Sequence, residues 1–385
     1  MKPADRCEKI TPFIVMEIME KIHKMEASGI DVIHMEIGEP DFNVPECVNK
    51  VSIEAFCKNE THYTHSLGDI RLREAISEYH RTTYNTIIDP GQILVTSGTS
   101  PAMLLLFSAL VNPGDEIIIS DPHYACYANF INYVQGVPVT VPVFEEEGFV
   151  YTPEAIKEKI TSKTRGIFIN SPSNPTGNVI PKERMQQIVD IAEVNNLYII
   201  SDEIYHGLVY EGHEHSIYEF TDKAFLLNGF SKLFAMTGLR LGYLIAPPEF
   251  VRALQILQQN FFICANSVVQ LAGAAVLKDA HKETQIMRET YNKRRIYVIE
   301  RLKQMGLGIT IAPTGAFYVF ANAKHISNDS YALALDILEK AHVGVTPGID
   351  FGANGEGYLR FSYANSMENL KNGLDRIQRY LKDLS

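Results

Sequence analysis

The sequence predicts an α/β protein. Its large domain has a mostly parallel seven-stranded sheet covered by helices, and a smaller α+β domain is formed from both chain ends. Two observations support this prediction. From about residue 70 to 280, short apolar runs alternate with helical stretches, and several of these runs are apolar along their whole length. Strands that are buried on both faces have this composition, and they occur in sheets with helices on both sides.

Seven apolar runs in this region are the predicted strands of the large sheet. They are Ile93–Thr96, Glu116–Ser120, Pro138–Val143, Thr164–Ile169, Tyr198–Ser201, Ala224–Leu227 and Gly242–Ile245. Before them, residues 12–28 are predicted to be helical, because Ile14, Ile18 and Ile22 are spaced four apart. The alternation over Ile30–Ile37 then predicts a strand.

The C-terminal third begins with one long charged helix, predicted over 281–304, on which Lys293, Arg294 and Arg295 are expected to form a solvated face. A shorter αβ segment follows, predicted as a strand, a helix and a strand over Phe317–Phe320, Tyr331–Ala341 and Tyr358–Tyr363. We therefore assign residues 1–40 and 281–385 to the small domain and 41–280 to the large domain.

Composition excludes several classes of protein. The 385 residues are 46% apolar and 21% charged, as in ordinary globular proteins. A net charge of −11 argues against a nucleic-acid partner. The longest apolar stretch, Pro101–Val111, is too short to cross a membrane. The five cysteines are odd in number and lack a CxxC pair, so we expect reduced thiols in a cytoplasmic protein.

The segment around Lys232 is the most informative part of the chain. Lys232 follows the apolar run Ala224–Leu227 and lies in a loop between Gly229 and Gly238, and Arg240 comes eight residues later. An amine and a guanidinium held on glycine-rich backbone beside a buried strand suit a covalent attachment and an anion clamp. This pairing predicts a Schiff base to a phosphorylated carbonyl cofactor.

In open α/β sheets, ligands bind beyond the carboxyl ends of the strands. After the strand that ends at Thr96, Thr99 and Ser100 come just before a helix that is predicted over Ala102–Val111. Their hydroxyls and free amides would bind an anion, although a plain helix cap explains them as well. Tyr124 follows the next strand and could stack on a flat ring, or pack as an ordinary loop aromatic.

Two further strand ends carry polar residues. Asn174 lies in a turn with two prolines and a glycine, where its amide could reach a ligand oxygen. Asp202 ends a buried strand and would hold a pyridine nitrogen protonated, and Tyr205, three residues on, could reach the same ring. Taken singly, Asn174 could belong to an ordinary turn and Asp202 could be a helix cap.

In their order along the chain, these motifs resemble those of the class I/II aminotransferases of the fold-type-I, pyridoxal-phosphate-dependent superfamily, such as aspartate aminotransferase. The resemblance runs from Ile37-Gly38-Glu39-Pro40-Asp41 to Tyr358-Leu359-Arg360-Phe361-Ser362. It rests most on Asn174-Pro175-Thr176-Gly177, on Ser201-Asp202-Glu203-Ile204-Tyr205, and on Ser231-Lys232 followed by Arg240-Leu241-Gly242-Tyr243.

The resemblance implies a role for each residue. Lys232 would bind pyridoxal phosphate and then act as the general base, Asp202 would pair with the ring nitrogen, and Arg360 would clamp the substrate carboxylate, with Gly38 and Asn174 beside the substrate. The other implied cofactor contacts are Thr99, Ser100 and Arg240 for the phosphate, Asn174 and Tyr205 for the ring oxygen, Tyr124 for the ring face, and Tyr63 from a neighbouring subunit.

The implied activity is amino-group transfer from an L-amino acid to a 2-oxo acid, in a two-step ping-pong reaction in a homodimer with shared sites. A carbon–sulfur β-lyase shares this fold and these motifs and remains the alternative. A cofactor-binding regulator is remote, because regulators of this kind carry a fused DNA-binding domain.

Two positions depart from the family pattern. Many relatives carry a phosphate-binding serine where Gly229 stands, so either the Ser231 hydroxyl or the helix start would compensate. Some aspartate-using relatives carry a lysine where Ser100 stands, so alanine, aromatic and other neutral donors stay open. We expect no metal site, since His213-Glu214-His215 lacks a third ligand nearby and fits a solvated loop.

Overall fold

A computed structural model describes residues 2–384. Within them, the chain forms twelve α-helices: α1 Ile14–Ala27, α2 Glu46–Cys57, α3 Ile70–Tyr84, α4 Thr99–Leu110, α5 Cys126–Tyr133, α6 Pro153–Lys159, α7 Lys182–Val194, α8 Pro248–Phe261, α9 Ser267–Asp279, α10 His281–Gln304, α11 Ser330–Ala341 and α12 Met367–Leu384. The strands of the same residues are β1 Ile33–His34, β2 Ile93–Thr96, β3 Glu116–Asp121, β4 Val137–Pro142, β5 Thr164–Asn170, β6 Tyr198–Asp202, β7 Ala224–Gly229, β8 Gly242–Ile245, β9 Tyr318–Asn322, β10 Val343–Gly344, β11 Thr346–Pro347 and β12 Tyr358–Ser362.

The large sheet has seven strands in the order β2-β8-β7-β6-β5-β3-β4. Strand β8 runs antiparallel to both of its neighbours, and the other pairs are parallel. All seven predicted strands are present, and the predicted mostly parallel sheet is confirmed. Strands β2, β7 and β8 are buried at every residue, which explains why their sequences are mostly apolar rather than alternating.

The core of the large sheet lies on both of its faces. On one face, Ile118, Ile167 and Leu226 belong to a cluster that includes residues of α3, α7 and α9. On the other, Ile117, Phe168 and Leu227 pack with residues of α4, α5 and α8. Successive strand residues point to opposite faces, so one strand feeds both clusters and the sheet is held rigidly between two layers of helices.

A third cluster joins the two ends of the chain. It contains residues of α1 and β1 together with residues of α10, β9, α11, β12 and α12. The antiparallel sheet β11-β12-β9 and the parallel pair β1-β10 belong to this part of the fold. The domain limits at residues 40 and 280 stay a prediction.

The N-terminal strand prediction was too long. Over Ile30–Ile37, only Ile33–His34 forms a strand, because its partner β10 is itself two residues long. Beyond it, Met35 N donates to Gly344 O at 3.0 Å and Ser362 N donates to Met35 O at 2.7 Å. The amide of Met35 thus still bonds β10, whereas its carbonyl oxygen bonds β12, so the ladder with β10 ends here.

The prediction of a solvated basic face on α10 was wrong for two of its three residues. Lys293 is exposed, but Arg294 and Arg295 are only 8% and 3% exposed. Arg294 pairs with Asp41 at 2.7 Å, and Arg295 pairs with Glu211. Both guanidinium groups also lie over aromatic rings, Phe42 and Tyr210, so α10 is fixed along this face to residues 41–42 and 210–211.

Over residues 2–384, none of the helices has both the length and the apolar character that crossing a membrane requires.

Candidate active site

A cavity of about 330 Å³ lies at the edge of the large sheet where the parallel strands end. It brings together every predicted site residue except Tyr63. Those lining it are Gly38, Thr99, Ser100, Tyr124, Asn174, Asp202, Tyr205, Ser231, Lys232, Arg240 and Arg360.

Topology explains why residues far apart in sequence meet here. Asn174, Asp202 and Lys232 follow or end the parallel strands β5, β6 and β7. Because β8 is antiparallel to β7, its amino end lies at the same edge, and Arg240 lies two residues before it. The reversal of one strand therefore places a guanidinium among residues that follow strand carboxyl ends.

An anion cradle lies at the start of α4. The helix begins at Thr99, three residues before the predicted start, so Thr99 and Ser100 are in its first turn. Gly98 precedes it with a φ of 93°, and a Cβ on Gly98 would lie 2.4 Å from a terminal nitrogen of Arg240. The absence of a side chain thus lets Arg240 approach the helix start, where free amides already favour an anion.

Lys232 lies in the middle of the cavity. Its Nζ donates a 2.6 Å hydrogen bond to the carbonyl oxygen of Gly38 and is 5.9 Å from the ring centres of Tyr205 and Phe317. Burial lowers the pKa of Lys232 to about 8, and Arg360 and Arg240 act in the same direction. A neutral amine is a nucleophile and a base, so this environment suits both roles.

Asp202 is a buried carboxylate, 3% exposed, at the end of β6. The hydroxyl of Tyr127 donates to its Oδ2 at 2.6 Å, and the amide of Ile204 donates to Oδ1 at 3.2 Å. Burial raises the pKa of Asp202 to about 6, against these two hydrogen bonds. Tyr127 escaped sequence reasoning because a buried aromatic on a short helix carries no motif.

Arg360 is 3% exposed and pairs with no carboxylate of residues 2–384. Its terminal nitrogens donate to Asn174 Oδ1 at 2.9 Å, Glu36 O at 2.5 Å and Thr346 Oγ1 at 3.0 Å. Its Nε has no partner among the described residues. A buried guanidinium in such surroundings is ready to receive an anion.

The guanidinium of Arg360 lies between the rings of Tyr318 and Phe351, at 4.5 and 5.0 Å from their centres. The hydroxyl of Tyr318 also meets that of Tyr205 at 2.8 Å. A Cβ on Gly38 would lie 2.2 Å from the Tyr318 hydroxyl oxygen, which explains the glycine. Tyr318 was not predicted as a site residue, and its only sequence signal is its place at the start of a strand.

The predicted roles of Tyr124 and Tyr63 stay predictions. The ring of Tyr124 lines the cavity but packs edge-on against Phe13 and Tyr127. Tyr63 is 81% exposed and lies outside the cavity. Its prediction depends on a second subunit and stays a prediction.

The departure at Gly229 has a steric reason. Gly229 lies opposite Gly242 in the β7–β8 ladder, and a Cβ on it would lie 2.9 Å from Leu241 O and 3.3 Å from Ile204 Cδ1. A serine does not fit without a backbone shift. The first turn of α4 and Ser231, which lines the same cavity, are what this chain offers instead.

The acidic loop at His213-Glu214-His215 is less solvated than predicted. Glu214 is half-buried and accepts the Gly207 amide at 2.8 and 2.9 Å, and burial raises its pKa to about 7. His215 pairs with Glu219 at 3.0 Å. Among residues 2–384, no three metal-binding side chains cluster closely enough to hold an ion.

Comparison with known proteins identifies the family. Residues 30–377 match the model of aminotransferase class I and II. A (5-formylfuran-3-yl)methyl phosphate transaminase of Methanocaldococcus jannaschii is 43% identical over 96% of both chains. An aspartate aminotransferase of Pyrococcus horikoshii is 40% identical, over 98% of this chain and 97% of the relative.

The fold agrees with solved relatives. A double mutant of the aspartate aminotransferase of Thermus thermophilus is 34% identical and superposes with a TM-score of 0.94, covering 98% of this chain and 99% of that structure. The chain therefore belongs to the class I and II aminotransferases and is an enzyme that transfers amino groups.

Proposed function

We propose that the enzyme uses pyridoxal 5′-phosphate to move an amino group from an L-amino acid to a 2-oxo acid in two half-reactions. The observation that carries this proposal is the convergence of three groups on one cavity: the amine of Lys232, the buried carboxylate of Asp202, and the anion cradle formed by α4 and Arg240. An aldehyde, a ring nitrogen and a phosphate are the three parts of the cofactor that these groups fit.

The cradle fits the phosphate. The helix start offers the amides of its first turn and the hydroxyls of Thr99 and Ser100, and Ser231 lines the same cavity. Arg240 adds a guanidinium whose Nη1 is fixed by a 2.9 Å hydrogen bond to Thr237 O. A helix amino end combined with an arginine binds phosphate through backbone donors and a bidentate charge pair.

Asp202 fits the ring nitrogen. A carboxylate held in a buried site stays ionised best opposite a cation, and a protonated pyridine nitrogen supplies one. Tyr205 and the amide nitrogen of Asn174 would donate to the ring oxygen, since Asn174 Oδ1 is already engaged by Arg360. Tyr124 would cover the ring face.

When bound, pyridoxal phosphate supplies an aldehyde for the substrate amine and a conjugated ring that draws electrons from the substrate Cα. Lys232 would carry the proton: its Nζ would accept the proton from the substrate Cα as a general base and would then donate it as an acid. A base with a pKa near the working pH does both efficiently, and burial brings the amine of Lys232 to about that value.

Arg360 would bind the α-carboxylate of either substrate, because amino acid and oxo acid share that group. The rings of Tyr318 and Phe351 pack against the guanidinium, which helps to position the clamp before substrate arrives. Gly38, whose carbonyl oxygen accepts from Lys232, would border the reacting carbon. Fixing both ends of the substrate orients Cα toward the amine.

We also propose a homodimer in which Tyr63 reaches the phosphate of the neighbouring subunit. The support is a set of exposed large apolar side chains, which includes Tyr63 at 81%, Phe56 at 62% and Phe261 at 56% exposure. The loop beside Tyr63 is tied to α8, since Gln255 and Gln259 both donate to Ser66 Oγ. Exposed apolar surface of this kind is typical of a subunit interface. A cytoplasmic location fits the five free thiols.

A phosphorylated furan aldehyde is a second candidate acceptor. The 43%-identical relative is named for it, and this cavity offers the rings of Phe13, Tyr124 and Tyr318 beside the unpaired guanidinium of Arg360. Arginine binds phosphate and carboxylate by the same bidentate geometry.

A spectral titration tests the proposal. Single amino acids are added to the loaded enzyme without an acceptor, and the absorbance of the lysine-bound cofactor is followed. Loss of the band, and its return with a 2-oxo acid or the furan aldehyde, is the expected result. Release of pyruvate and ammonia without an acceptor would instead make the enzyme a β-lyase. Borohydride should attach the cofactor to Lys232, and labelling of another lysine would contradict the assignment.

A further inference from the structure

The amino end of α1 is capped by a residue more than three hundred positions away. Ile14 N donates to Asp350 Oδ1 at 2.8 Å, and Val15 N donates to Asp350 Oδ2 at 3.3 Å. Asp350 is 8% exposed and lies in the 3-10 turn Gly348–Phe351. The residue before the helix, Phe13, has no polar side chain, so this remote carboxylate does what a local cap residue usually does.

Helix α1 forms one wall of the active-site cavity. Phe13, Val15, Met16 and Met19 line it, and Ile37 continues the same apolar surface. The other lining residues are largely accounted for by the cofactor and the carboxylate clamp. The three lining cations are Lys232, Arg240 and Arg360, and each has a role in the proposed function. Two carboxylates also line the cavity, but Glu36 is hydrogen-bonded to His34 at 2.7 Å and Glu39 accepts from Thr237. The α1 side of the cavity, which remains for a substrate side chain, is apolar.

The turn that holds Asp350 links this wall to the clamp. Asp350 fixes α1, and its neighbour Phe351 lies against the guanidinium of Arg360, 5.0 Å from ring centre to carbon. The start of α1 is also tied to the large domain, since Thr11 N donates to Asn129 Oδ1 at 3.1 Å and Phe13 meets Tyr124 edge-on. The position of the wall relative to Arg360 is thus set through one short turn.

We propose that Asp350 is a positioning residue that holds α1 as the apolar wall for the side chain of the amino donor, and that the donors are neutral amino acids with large apolar side chains. This inference rests on the proposed function. Methionine side chains adapt to different shapes, so Met16 and Met19 suit a range of such donors. A second carboxylate on the donor would meet no free cation among these lining residues.

The test compares Asp350→Ala and Asp350→Asn with Asp329→Ala in the loaded enzyme. Asp329 caps α11 by accepting from Ala332 N at 2.8 Å, but it is exposed and does not line the cavity. Asp329→Ala therefore removes a helix cap away from the active site and serves as the control. For Asp350→Ala we expect KM for phenylalanine to rise about tenfold, the size that one helix cap supports, with kcat and KM for alanine changed less than about threefold. For Asp350→Asn, KM for phenylalanine should stay closer to the wild-type value than in Asp350→Ala, because asparagine also caps helices.

Hydrogen exchange supplies a measurement independent of turnover. Without substrate, amides near 14–19 should exchange faster in Asp350→Ala and remain protected in Asp329→Ala. Equal rises in KM for phenylalanine and alanine, or unchanged exchange near 14–19, would overturn the positioning role. A wild-type preference for aspartate over phenylalanine would overturn the donor class. Failure of every amino acid to alter the cofactor spectrum would contradict the proposed function itself.

Discussion

Tyr127 donates a 2.6 Å hydrogen bond to Oδ2 of Asp202 and lowers the pKa of that buried carboxyl against the effect of burial. Its helix, α5, begins immediately after the loop that carries Tyr124. The charge expected to face the cofactor nitrogen is therefore set by a residue on another element of the fold.

Replacing Tyr127 by phenylalanine should raise the pKa of Asp202. A hydrogen bond to a charged group contributes about 1.5–3 kcal/mol, and about 1.4 kcal/mol is a tenfold change in an equilibrium constant, so protonation of Asp202 should become at least about tenfold more favourable. Because Asp202 must be ionised to pair with a protonated nitrogen, cofactor retention should fail at a higher pH as the solution is acidified. Dialysis at a series of pH values followed by absorbance measures this.

Tyr151→Phe is the matched control, since Tyr151 is also buried and donates to a backbone oxygen, Phe168 O, at 2.8 Å. It should cost stability without shifting the pH at which cofactor is lost. An unshifted profile in Tyr127→Phe would mean that Asp202 does not depend on this hydrogen bond.

The substrate clamp should not tolerate a conservative change. Arg360→Ala and Arg360→Lys should both weaken amino acid and oxo acid binding, by about 2–5 kcal/mol for alanine. Lysine keeps the charge but cannot reproduce the planar fork that donates to Asn174, Glu36 and Thr346. Steady-state KM values for both substrates measure the effect, and Arg165→Ala, at an exposed ion pair, is the control. Unchanged KM values would remove Arg360 from the substrate site.

A substitution at Gly229 tests whether this chain can accommodate the serine that many family members carry at the same position. Gly229→Ser should destabilise the fold by about 1–3 kcal/mol, the usual cost of overpacking, because its Cβ meets Leu241 O and Ile204. Gly238→Ser is a suitable control, since no atom lies within 4 Å of a Cβ there. Thermal unfolding and cofactor titration compare the two. Tighter cofactor binding with an unchanged melting temperature would show that the serine is accommodated.

Much of the fold could be predicted because its signals are local. The strands of the large sheet are continuous apolar runs followed by polar residues, and position at a strand end was enough to find Asn174, Asp202 and Lys232. The length of strand β1 could not be predicted from the local sequence, since it depends on a partner strand that lies about 310 residues later. The burial of Arg294 and Arg295 depends on Asp41 and Glu211, which no local pattern connects to α10.

Within the site, the residues that orient the other site side chains were not predicted from the sequence. Tyr127 and Tyr318 act on Asp202, Tyr205 and Arg360 through hydroxyls and a ring face. In sequence they are ordinary core aromatics, and only the packing shows which of many tyrosines has its hydroxyl in the cavity.

The pKa of Lys232 predicts how the cofactor-free enzyme captures pyridoxal phosphate. The amine must be neutral to attack the aldehyde, and burial lowers its pKa to about 8. The neutral fraction therefore grows with pH and levels off above about 8, whereas an ordinary lysine would keep rising to about 10.4. Stopped-flow absorbance at a fixed cofactor concentration should show a capture rate that rises about tenfold per pH unit below 7 and then reaches a plateau.

Glu39 provides the control for this pH profile. Its carboxylate raises the pKa of Lys232, so Glu39→Gln should lower that pKa and move the plateau to a lower pH. The titration of pyridoxal phosphate itself is the same for both proteins and cancels in the comparison. A plateau that stays in place, or moves to higher pH, would mean that another group controls capture. A capture rate that still rises at pH 10 would mean that the pKa of Lys232 is not lowered.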